Sequence, residues 1–125
     1  MSNTITVTAC SNELIFHAFK SGASYKLLHI KSLPPYSVDV TLNITDGAYS
    51  GCVELNGVTS SLSETDSVSI PSGNYLVHFT GINWAGAPQF TGSINSTSFD
   101  SGFLPHIAGI IYTMDELGTT TAITV

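Results

Sequence analysis

The segment Ser37-Val38-Asp39-Val40-Thr41-Leu42-Asn43-Ile44 alternates polar and apolar residues without a break. Successive side chains of an extended chain point to opposite faces, so this order puts Val38, Val40, Leu42 and Ile44 on one side. A helix would scatter the same four around its circumference. The segment therefore reads as a strand with one face on a core and one in water, the habit of antiparallel sheets.

The same texture recurs along the chain. Ile5, Val7 and Ala9 alternate with Thr6, Thr8 and Cys10. From Glu13 to Phe19, both sets of alternate residues carry apolar members, which predicts a strand buried on both sides. Further strands are predicted at Lys26 to Ile30, Tyr49 to Leu55, Val68 to Ile70, Tyr75 to Thr80, Phe90 to Ile94, Ile107 to Met114 and Thr121 to Val125. Asp46-Gly47 and Asn56-Gly57 are hairpin dipeptides, because both tolerate positive φ. They predict that Tyr49 to Leu55 folds back beside the strand ending at Ile44. That pairing would set Asp39 and Glu54 on one face. Pro34-Pro35 cannot donate to a ladder and marks a sheet edge or a crossover between sheets. Pro71-Ser72-Gly73 reads as a turn. The one helical candidate, Met114 to Gly118, is a single turn at most.

Short strands with turn signals every 8–12 residues define the fold class. The expectation is all-β: a single antiparallel β-sandwich of about 8–10 short strands spanning residues 1–125, jelly-roll or immunoglobulin-like. A chain of 125 residues fits one domain.

Charge sets the function classes that remain. Only 10% of residues are charged, with three Lys, no Arg and nine carboxylates, for a net charge of −6. Hydroxyls replace the missing charge: there are 17 Ser and 15 Thr. Three lysines cannot form the cationic footprint that nucleic acid requires. A hydrophobic share of 42% excludes a disordered chain. No apolar run is long enough for a membrane span, and the N-terminal residues lack the pattern of a signal peptide. The expected location is the cytoplasm or a released particle. Cys10 and Cys52 lack a CxxC spacing and read as small core residues, with a disulfide as the alternative.

Motifs of catalysis are missing. No GxSxG elbow and no phosphate-binding glycine loop is present. His17, His29, His78 and His106 stand far apart, without HxH or HxxxH spacing, and read as isolated strand or rim residues. No metal or other cofactor is expected, and the protein reads as a non-enzyme. The segment Gly81 to Phe90 breaks the alternation and holds the only Trp. An indole flanked by amides can stack on a pyranose while the amides bind its hydroxyls. Asn83, Trp84 and Gln89 are therefore the expected ligand-binding residues, and Trp84 as a plug for one end of the sandwich is the competing reading.

A neutral β-rich surface has few lysines to guard its sheet edges. That predicts self-association, with Ala122 to Val125 as an interface strand. The composition is similar to that of bacterial lectins, of virion and phage structural proteins, and of secreted toxin-like sandwiches. The reading that follows is a non-catalytic, lectin-like, carbohydrate-binding protein acting as a homo-oligomer. The alternative is a structural subunit of a phage or virion particle.

Overall fold

The structure is a computed structural model and describes residues 3–86, 89–101, 111–113 and 121–125, the third of these stretches by its backbone alone. Eleven strands occur among them, and no helix. They are β1 (Asn3–Cys10), β2 (Asn12–Lys20), β3 (Ala23–Ser32), β4 (Val38–Asp46), β5 (Val53–Gly57) and β6 (Leu62–Ile70). After these come β7 (Asn74–Ile82), β8 (Phe90–Ile94), β9 (Thr97–Asp100), β10 (Ile111–Thr113) and β11 (Thr121–Thr124). Two sheets form a sandwich. The first has the order β6-β4-β1-β8-β9, and the second β10-β7-β2-β3-β5, with β11 also paired on β7.

The alternation around Val40 is realised as expected. Val38, Val40, Leu42 and Ile44 are at most 6% exposed, and Asp39 and Thr45 are in solvent. In β2 one face is fully buried, at Leu14, Phe16 and Ala18. The other face, Ile15, His17 and Phe19, is only half-buried, because no further layer of described residues covers the second sheet. Buried side chains from Ile5 to Ile123 form one cluster between the sheets. Phe16, Phe79 and Phe99 pack at its centre, with ring centroids 4.8–5.9 Å apart. Removing a side chain of this size from water contributes about 1.5–3 kcal/mol.

Two expected hairpins do not form. From β3 to β7 the chain changes sheet at every connection, Pro34-Pro35 being the first crossover. Strands two apart in sequence then run in the same direction within one sheet. As a result β3 pairs β5 and β4 pairs β6 in parallel, the latter in unbroken register from Val38↔Leu62 to Asp46↔Ile70. This coil departs from the all-antiparallel schemes of jelly rolls and immunoglobulin folds. Gly47 donates its N–H to the Ile70 carbonyl at 2.9 Å, closing a contact with β6 where a hairpin was expected. Asp39 and Glu54 accordingly lie on different sheets.

Close approach explains one glycine. Gly92 stands opposite Val7, where the β1–β8 register slips by a residue. A Cβ at Gly92 would collide with the Thr6 carbonyl and press on the Phe99 ring. The slip turns Cys10 inward to 4% exposure. Cys10 and Cys52 are both free thiols, Cys10 as a core residue and Cys52 half-buried.

Edges are guarded without lysine. On the edge strand β6, Glu64 and Asp66 stand at the register of Val40 and Leu42, on the side facing the core. Carboxylates on the inward side of an edge strand oppose pairing with a second sheet. The edges β5 and β9 are short, five and four residues. β11 pairs with β7 of its own chain and buries Ile123. Among the described residues no helix is long and apolar enough to cross a membrane. The one-turn helix expected at Met114 to Gly118 lies outside the described residues, as does His106.

Candidate functional site

The loop after β7 is fixed to the β1–β2 connection at both of its ends. Asn12, fully buried at the start of β2, accepts two backbone N–H groups on its Oδ1, from Trp84 at 2.8 Å and Ala85 at 2.7 Å. Its Nδ2 reaches the Ser32 carbonyl at 3.5 Å. At the other end, the Ser11 N–H donates to the Gln89 carbonyl at 3.1 Å. Phe90 then enters β8 with its N–H on Ser101 Oγ at 2.8 Å. One side-chain oxygen that satisfies two adjacent amides defines a loop conformation tightly, since each buried amide left bare costs about 1–3 kcal/mol.

The three sequence candidates fall in different environments. Trp84 is 36% exposed and is one of four exposed large hydrophobic side chains among the described residues. Asn83, beside it, is 0% exposed, so its amide faces the interior. Gln89 is half-buried at the far end of the loop. The loop thus presents an indole, with Gln89 as the accessible amide. Asn12, which holds the indole in place, carries no signal in the local sequence.

The outer face of the second sheet gathers most of the titratable groups. His29 on β3 is engaged at both ring nitrogens. Lys26 Nζ lies 3.2 Å from Nδ1, and Glu13 Oε2 lies 2.8 Å from Nε2. Lysine can only donate, so Nδ1 accepts and Nε2 carries the proton given to Glu13. Glu54 on β5 adds a contact to Lys26 at 3.8 Å and to His29 Nδ1 at 4.0 Å. Both His29 nitrogens are committed within the protein. The group ties β2, β3 and β5 together and leaves no imidazole nitrogen for proton transfer to a ligand. A pocket of about 190 Å³ adjoins it, lined by His29, Lys31, Glu54, Leu55 and Asn56.

His17 and His78, 61 positions apart in sequence, stand directly opposite each other on β2 and β7. Their rings stack at 5.8 Å, and Phe19 meets His78 edge-on at 5.0 Å. Burial, then His78 and Lys26, hold the His17 imidazole below its ordinary pKa, favouring the neutral form.

The outer face of the first sheet is of another kind. Thr65, Thr41, Thr6, Ser93 and Ser98 stand in register on β6, β4, β1, β8 and β9, making a row of hydroxyls across the whole sheet. Thr8 and Thr91 share a hydrogen bond at 2.7 Å, and Thr4 donates to Asn43 at 3.2 Å. None of these five strands carries a Lys or His.

No protein-family model, no curated protein and no solved structure matches the chain.

Proposed function

We propose that the chain is a non-catalytic binding module that holds a carbohydrate at the Trp84 loop and works as a homo-oligomer. One observation supports this above the others: the loop is fixed at both ends, yet its indole reaches solvent. A large aromatic whose burial would be favourable is instead displayed on a rigid mount. A pyranose presents an apolar face that such an indole can cover, with Gln89 at the far end of the loop as the candidate amide for a hydroxyl. The preorganised loop lowers the entropy cost of binding. Titration of the chain with a panel of mono- and oligosaccharides, followed by Trp84 fluorescence, tests the reading. A saturable spectral change supports it, and an unchanged spectrum across the panel refutes it.

A second reading, a structural subunit of a phage or virion particle, rests on the hydroxyl row across the first sheet. A cation-free face crossed by a row of hydroxyls suits a neighbouring subunit that hydrogen-bonds to it. Light scattering at micromolar concentration tests the self-association that both readings share: a clean monomer counts against it and against this second reading, whereas sugar binding at Trp84 is specific to the first.

A further inference from the structure

We propose that His17 and His78 form a two-histidine site for a divalent transition-metal ion of the copper, nickel or zinc class. The inference is independent of the Trp84 loop. Three observations carry it. The two residues are direct cross-strand partners on adjacent strands, on a face that solvent reaches. Opposed residues of an antiparallel pair have Cβ atoms roughly 4.5–5.5 Å apart, so two imidazoles there can converge on one ion. Coordination at about 2.0–2.1 Å per nitrogen draws the rings from their 5.8 Å stack toward a common point.

The second observation is the contrast with His29, whose nitrogens are both taken by Lys26 and Glu13. Among the described residues neither His17 nor His78 has a hydrogen-bond partner, and His78 Nδ1 is enclosed without one. Their lone pairs are uncommitted and no hydrogen bond anchors either ring, so both are free to turn toward a ligand.

The third is the charge around the pair. Lys26 on β3 stands opposite His17 on its other side, and it is drawn toward His29 and Glu54. Among the described residues Phe19 packs edge-on against His78. Among the described residues no carboxylate joins the pair, and no group of three or more metal-binding side chains occurs. Hard cations such as magnesium and calcium take oxygen ligands, which the two imidazoles do not offer. Copper, nickel and zinc take imidazole readily and fill their remaining positions with water.

The test uses the whole chain and Ni²⁺ or Cu²⁺ alone at pH 7.5, by calorimetric titration. One equivalent is expected to bind in the micromolar range. His17→Gln and His78→Gln should each weaken binding at least tenfold, and His29→Gln should leave it unchanged, with circular dichroism confirming the fold of each. Binding should also weaken on acidification, because protons compete with the metal for the ligand nitrogens. A readout on the unaltered chain removes dependence on the variants: substoichiometric Cu²⁺ should broaden the NMR signals of the His17 and His78 rings first. Broadening that begins at His29 or His106, or affinity unchanged in both single variants, would overturn the proposal.

Discussion

Asn12 Oδ1 accepts the backbone N–H of Trp84 at 2.8 Å, across 72 positions of sequence, and so places the only indole of the chain. The bond joins a fully buried amide at the start of one strand to the loop after another. Asn12→Ala is expected to leave the Trp84 and Ala85 amides without this acceptor and to cost about 1–3 kcal/mol. Urea unfolding measures the loss. Trp84 emission in the folded variant should change as the loop is released, and an unchanged spectrum with unchanged stability would contradict the fastening role.

Facing in β4 is tested by neighbours. Leu42 is 0% exposed between the sheets, whereas Thr41 lies on the outer hydroxyl row. Leu42→Asp buries an unpaired carboxylate and should cost more than about 4 kcal/mol, a large share of the roughly 5–15 kcal/mol that holds an ordinary domain folded. Thr41→Asp should cost less than about 1 kcal/mol. Thermal melts of the pair check the assignment, and equal losses would reverse it.

Close backbone approach at Gly92 makes a third comparison. Gly92→Ala drives a methyl group into the Thr6 carbonyl, which cannot move without disturbing the β1–β8 pairing. The expected cost is about 3 kcal/mol, at the upper end for overpacking. At Gly47 the added methyl meets only Ser69 Cβ at 3.4 Å, an ordinary contact, so Gly47→Ala should be mild. Chemical denaturation of both variants separates the two cases.

The pH dependence follows from His17. Its pKa in the fold lies below the ordinary value, through burial first and then His78 and Lys26. As pH falls past about 6.5, the unfolded chain takes up this proton before the folded one does. The stability contribution is therefore whole above that pH and lost as pH falls through the folded value. Urea midpoints at pH 7.5 and 5.0 should drop further in the wild type than in His17→Gln. Parallel curves would show that His17 does not carry the effect.

The sandwich could be read from the sequence because its information is local and periodic. Val38 to Ile44 names its own buried face, and Tyr75, Val77 and Phe79 do the same for β7. Connectivity was hidden for the opposite reason. Asp46-Gly47 and Asn56-Gly57 allow a tight turn, but nothing local decides whether the chain returns to its own sheet or crosses. That choice is made by the long register of β4 with β6 and by Gly47 bonding to Ile70. The candidate residues divide in the same way. Trp84 is conspicuous as the lone indole in a segment that breaks the alternation. Asn83 shares that segment yet turns out fully buried, because a loop has no period from which to read a facing. Asn12, the Lys26–His29–Glu13 chain and the His17–His78 pair are made by strand register, and no spacing in the sequence encodes them.

The central claim is that the Trp84 loop is a preformed carbohydrate site. Its most direct test is a Trp84 fluorescence titration of the wild-type chain, supported by a glycan array read with labelled wild-type and Trp84→Phe protein. The expected result is a saturable change in Trp84 emission with at least one sugar class, and array binding to that class weakened severalfold in Trp84→Phe. Flat titrations across the panel, or array binding that Trp84→Phe leaves intact, would contradict the claim.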